Sequence, residues 1–199
     1  MRWDNLFDDL ESQLEQGLSA EEIDLAAEEE RLRLGRLSLR ERLLSISESY
    51  ERRADYGIRL LLTSGESVSV RPATIGKDWF SSDVRDESPR RRQCIVALAG
   101  VAAILLSADQ VPRSLNGSAR ETETSVSARL GLPFVLRDLC RRRVDVEIVT
   151  PSGRVTGTID RVGRDHLDLA VHEAGTPRRN GAIGHYRIVP LSHVLMVQV

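Results

Sequence analysis

Val144-Asp145-Val146-Glu147-Ile148-Val149-Thr150-Pro151-Ser152-Gly153-Arg154-Val155-Thr156-Gly157-Thr158-Ile159-Asp160-Arg161-Val162-Gly163-Arg164-Asp165-His166-Leu167-Asp168-Leu169 is the stretch whose pattern decides the fold. Val144, Val146 and Ile148 alternate with polar neighbours as far as a Thr-Pro-Ser-Gly turn. Val155, Gly157 and Ile159 resume the alternation, Val162-Gly163-Arg164-Asp165 turns again, and Leu167, Leu169 and Val171 form a third run. A period of two between turn signals is the mark of short, half-buried β-strands. Gly157 in mid-strand suits a sharp bend, where a side chain would clash.

Upstream, Leu130, Leu132, Val135, Leu136 and Leu139 mark a helix, with Pro133 in its first turn where proline is tolerated. Downstream, residues 172–184 read as loop, and Ile188-Val189-Pro190-Leu191 and Val194-Leu195-Met196-Val197 close the chain. The unit is therefore a helix followed by about five short strands.

The same order occurs earlier in the chain. A helix opened by the Ser38/Glu41 capping box carries Leu39, Leu43, Leu44, Ile46 and Tyr50. Ile58, Leu60 and Leu62 lead into Thr63-Ser64-Gly65, Val68 and Val70 follow, and Trp79-Phe80 comes after a second turn. Ser64-Gly65 matches Ser152-Gly153, and Ile75-Gly76-Lys77-Asp78 matches Val162-Gly163-Arg164-Asp165. Ile95-Val96-Ala97-Leu98 matches Ile188-Val189-Pro190-Leu191, and Val101 matches Val194. Several anchors in one order indicate an internal repeat. The expected organisation is an acidic helical arm over 1–36, a first helix-plus-barrel over 37–106, a polar linker over 107–126 and a second helix-plus-barrel over 127–199. The expected fold class is α+β: acidic N-terminal helices, then two tandem small β-barrels of five strands each.

Helix plus five bent strands resembles the Sm-like fold and, more loosely, an SH3-like barrel. The second copy carries the resemblance through Val144-x-Val146-x-Ile148, Gly153, Val155-x-Gly157-x-Ile159, Val162, Asp165 and Leu167-x-Leu169. It implies RNA as a partner. The family's second motif, a basic residue followed by Gly, is not found at Ile188-Val189-Pro190-Leu191 or Ile95-Val96-Ala97-Leu98. The whole chain, from Arg2-Trp3-Asp4-x-Leu6-Phe7-x-Asp9-Leu10-Glu11 onward, also resembles an uncharacterised actinobacterial family sometimes labelled Fis-like transcription regulators. No helix pair in the sequence has the short turn and basic second helix that a helix-turn-helix reader needs.

Charge is distributed unevenly. Residues 1–30 hold 11 acidic side chains against one arginine, a net −10, whereas the remainder holds 27 basic against 19 acidic, a net +8. An acidic arm thus precedes a mildly basic body. Aromatic residues are 4% of the chain, too few for a stacking platform on single-stranded nucleic acid. Cys94 and Cys140 belong to no CxxC motif and read as buried thiols of a reducing compartment. The N-terminus has no signal-peptide pattern, and the longest apolar stretch, Cys94 to Leu106, falls short of the ~20 residues of a membrane span. A cytoplasmic location without membrane contact is expected.

Two candidate binding surfaces emerge. Trp3, Phe7, Leu10 and Leu14 share one face of an N-terminal helix and are the candidate partner-binding residues. Matched Pro-Arg-Arg loops place Arg90, Arg91 and Arg92 in the first copy and Arg178 and Arg179 in the second, candidate anion or nucleic-acid contacts through their guanidinium groups. Trp79 is either packed between barrels or an outward contact. His166, His172, His185 and His193, with Asp165 and Asp168, match no metal-ligand spacing, and GxSxG, P-loop and GxGxxG motifs are missing. No catalytic residue, cofactor or metal site is expected. The expected function is a non-enzymatic adaptor acting through a protein partner or self-association, with an RNA- or DNA-associated protein using the Arg loops as the alternative.

Overall fold

The computed structural model describes residues 22–50, 57–84, 92–116, 126–175 and 179–199. The chain divides after Ser38 into two compact units. In the first, residues 22–36 form helix α1. Its surface is laced by Glu28–Arg31 and Glu30–Arg33 pairs at 3.3 and 2.6 Å, one helical turn apart. Ile23, Leu25 and Leu32 are exposed.

Among the described residues, the second unit contains ten strands in one antiparallel sheet, together with helices α2 (Leu39–Tyr50), α3 (Gln110–Leu115), α4 (Val126–Arg129) and α5 (Leu132–Arg142). The strands are β1 (Ile58–Leu62), β2 (Ser67–Ile75), β3 (Trp79–Val84), β4 (Arg92–Ala97), β5 (Val101–Leu105), β6 (Asp145–Thr150), β7 (Gly153–Val162), β8 (His166–Val171), β9 (His185–Pro190) and β10 (Met196–Gln198). Across the sheet they run β5-β1-β2-β3-β4-β10-β6-β7-β8-β9.

The two halves of this sheet share one topology and one register. In the first, Leu60 faces Val68 and Ile104; in the second, Ile148 faces Val155 and Val197. Phe80 faces Val96, as Leu167 faces Val189. A bulge between Pro72 and Ile75 in β2 recurs between Ile159 and Arg161 in β7, and such bulges bend a sheet. The 3-10 turns Leu98–Gly100 and Leu191–His193 occupy the same place after β4 and β9.

The α+β class and the strand alternation stand, but the two separate barrels expected from the sequence are not formed. Among the described residues neither half closes on itself, because no ladder joins β5 to β4 or β10 to β9. Instead β10 pairs with β6 on one side and with β4 on the other. The reason is apolar: β4 carries four consecutive buried residues, Cys94 to Ala97, and one face of that strand needs cover from outside its own half.

The cores show the same exchange. Leu43 and Ile46 of α2 pack with Leu60, Val70, Phe80 and Val96, and Val149, Leu195 and Met196 of the second half join them. Leu132 and Leu136 of α5 pack with Ile148, Ile159, Leu167 and Leu169, and Trp79, Ile95 and Ala97 of the first half join those. Within the stretch read as a linker, α3 lies against α2, with Arg42 Nη2 donating to the buried Ser114 hydroxyl at 2.8 Å.

Candidate functional site

The two ends of the sheet are its open features. β9 is the last strand on one side and β5 the last on the other; among the described residues neither has a second strand neighbour. An edge strand presents a row of unpaired N–H and C=O groups able to accept another strand.

β9 reads His185-Tyr186-Arg187-Ile188-Val189-Pro190, and only Val189 is buried. Ile188 is 71% exposed and Tyr186 58%. Their bodies are held in place by the β8 ladder, which pairs Asp168 with Ile188 and Ala170 with Tyr186. At the opposite end, β5 reads Val-Ala-Ala-Ile-Leu, and Leu105 is 47% exposed. A shallow groove lined by Arg59, Leu105, Ser107 and Gln110 runs beside it.

The turn between β7 and β8 reaches solvent near β9. His166 Nδ1 and the Asp165 carboxylate lie 2.8 Å apart. That hydrogen bond, against the opposing effect of desolvation, lowers the Asp165 carboxyl from its usual range. The equivalent turn of the first half is spent on contacts with the second half. Asp78 Oδ1 accepts from Leu132 N–H at 2.7 Å, and Trp79 Nε1 donates to Leu130 O at 2.8 Å. Trp79 is therefore buried, at 6% exposure, between the halves.

His172 and Thr158 are buried together, and the partly exposed Asp145 joins them in a polar set. His172 Nδ1 donates to Glu173 O at 3.0 Å, because a carbonyl can only accept. Its Nε2 lies 2.9 Å from Thr158 Oγ1, which is itself 3.1 Å from Asp145 Oδ1. The trio has the composition of a nucleophilic constellation, but Thr158 is completely buried and offers a substrate no approach. Its effect is to tie the start of β6 and the end of β8 to the middle of β7. Among the described residues no three His, Cys, Asp or Glu side chains are grouped to hold a metal ion, and no helix is long and apolar enough to cross a membrane.

Of the residues singled out from sequence, Trp3, Phe7, Leu10, Leu14, Arg90, Arg91 and Arg178 lie outside the described residues. Arg92 opens β4 opposite Val84 and is exposed. Arg179 is exposed and precedes the 3-10 turn Asn180–Ala182. The structural counterpart of Arg92, by the shared strand register, is His185 rather than Arg179. Sequence reasoning passed over Tyr186 and Ile188. The available signal was that Ile188 matches Ile95 in an otherwise apolar strand, while its own strand also carries His185 and Arg187. Compared with protein-family models, curated proteins and solved structures, the chain finds no match.

Proposed function

We propose that the chain is a non-enzymatic binding protein, an adaptor that acts through protein–protein contacts. The observation that supports this reading most is the β9 edge, where Ile188 and Tyr186 stand 71% and 58% exposed beside an unpaired backbone row. Large apolar side chains on an ordered, open strand are what a partner strand or helix covers. The acidic arm offers a second, charged contact for a basic partner.

The alternative is nucleic-acid binding through Arg90–Arg92, Arg178 and Arg179. RNA and DNA binding by the full chain and by a chain lacking residues 1–34, at low and high salt, separates the two. The adaptor reading expects no salt-sensitive binding by either. Tight binding that falls steeply with salt, because counterions are released from phosphates, and that strengthens when the arm is removed, overturns it in favour of the arginines.

A further inference from the structure

The β5 end of the sheet carries a cation that no neighbouring strand neutralises. Arg59 of β1 stands opposite Ser69 of β2 and Leu105 of β5, so the three side chains form one row on one face. β1, β2 and β5 contain no acidic residue. Arg71 is the other charged side chain on these strands, and it stands opposite Asp83 of β3. Arg59 has no carboxylate across from it and is exposed.

The second half shows that this row departs from the rest of the fold. By the shared ladders, the counterparts of Arg59, Ser69 and Leu105 are Glu147, Thr156 and Gln198. Glu147 pairs with Arg154, whose counterpart in the first half is the uncharged Ser67. Gln198 is 7% exposed because β4 lies beyond it. Leu105 has no strand beyond it among the described residues and is 47% exposed. The row that the second half closes with its own groups is open in the first.

The open row lines a groove of about 500 Å3, together with Leu106, Ser107 and Gln110. Small-molecule sites commonly measure about 300–1,000 Å3. Ser107 N–H donates to Gln110 Oε1 at 3.0 Å, which fixes the amide and leaves its NH2 group as a donor. The Ser107 hydroxyl is engaged by Asp109 Oδ1 at 2.5 Å. Leu106 is partly buried and packs on the first core, which makes that wall firm. A guanidinium and an amide donor thus adjoin an apolar flank, and no carboxylate lines the groove.

We propose that this groove binds a small monocarboxylate with a short alkyl tail. The planar fork of Arg59 fits both oxygens of a carboxylate, and one cation matches one negative charge. The Gln110 amide donates to the same head group. The tail lies along Leu105 and Leu106 and removes from water the apolar surface that no strand covers. This site goes beyond the adaptor reading, and neither depends on the other.

Titration of the full chain with octanoate, followed through backbone amide NMR shifts, tests this. Saturable shifts are expected at Arg59, Ser69, Leu105 and Ser107, with a Kd on the order of 1 mM, as suits about ten heavy atoms in an open groove. Octan-1-ol, which has the tail without the charge, binds about tenfold more weakly, and Arg59→Gln lowers octanoate affinity by about the same factor. Leu105→Ser lowers it about fourfold, the equivalent of one methylene left in water. Arg59→Glu installs the residue type that the second half carries at Glu147. It exchanges octanoate for octylamine, a gain that a misfolded chain cannot show. Shifts that never saturate, or that saturate away from the groove, overturn the proposal. Octan-1-ol binding as tightly as octanoate also overturns it, by reducing the groove to an apolar patch. Inorganic phosphate that displaces octanoate at equal concentration overturns the carboxylate as the ligand class. An Arg59→Gln variant that binds octanoate like the wild type, or an Arg59→Glu variant that loses octanoate without gaining octylamine, overturns Arg59 as the group that holds the head.

Discussion

Gly157 shows how one residue shapes half the sheet. A β-carbon there would sit 2.2 Å from Ala170 O and 3.1 Å from Val171 Cα, all of it backbone that cannot step aside cheaply. Gly157→Ala is expected to lower stability by ~3 kcal/mol, the upper part of the usual range for overpacking, read as a shift of the urea midpoint. Cys94 is a second local case. Burial, assisted by the nearby Asp83 charge, pushes its thiol up to about 12. A thiol raised in this way stabilises the fold fully below the usual thiol range, and that contribution is lost as pH rises towards the folded value. Maleimide labelling followed by mass spectrometry near pH 8 is expected to modify the partly exposed Cys140 first, with Cys94 reacting only on unfolding. Both glycine and cysteine were legible as types in the sequence. The mid-strand Gly already pointed to a bend, but the atom it avoids belongs to a strand more than ten residues away in the chain, and no local pattern names it.

Helix α5 illustrates what an element owes to its surroundings. Its hydrophobic spacing and early proline were readable from Leu130 to Leu139. Its N-cap residue, Gly131, has no side chain to cap with, and the cap comes from Asp78 of the other half, 2.7 Å from Leu132 N. Asp78→Ala is expected to cost ~1 kcal/mol, the usual value of a helix cap, with faster hydrogen exchange confined to the first turn of α5. At the far end Arg143 adopts φ 55° and pairs with Asp160 at 2.7 Å, while Arg141 and Arg142 reach Asp138. The three arginines thus find carboxylate partners at the helix C-terminus, where positive charge also suits the dipole. Strand positions were also largely legible, since alternation and turn residues are local signals. The short helix α3 was not, because Gln110–Leu115 has no periodic apolar stripe and is held by Arg42 on Ser114.

At the scale of the whole second unit, both cores borrow residues from each other's half. Trp79, Ile95 and Ala97 sit in one core, and Val149, Leu195 and Met196 in the other. Arg154 adds a polar tie by pairing with Glu147 in β6 and with Glu66 in the β1–β2 turn. Residues 39–199 are therefore expected to unfold in a single calorimetric transition whose van't Hoff and calorimetric enthalpies agree. Trp79→Ala is expected to destabilise that transition by ~3–5 kcal/mol, as large core truncations do, and to lower it as a whole rather than split it. Two resolved transitions in the wild type would show that the shared strand pair does not couple the halves.

Period-two alternation, turn chemistry and repeated anchors specified helix-then-strands twice over, because each is a matter of neighbours along the chain. The partner of β4 was not specified in that way. An apolar strand such as Cys94 to Ala97 demands cover on both faces, yet its composition is equally compatible with a strand of its own barrel or of the next. Only the three-dimensional fit of β10 between β4 and β6 selects one continuous sheet, and that selection also leaves β5 and β9 as its open ends.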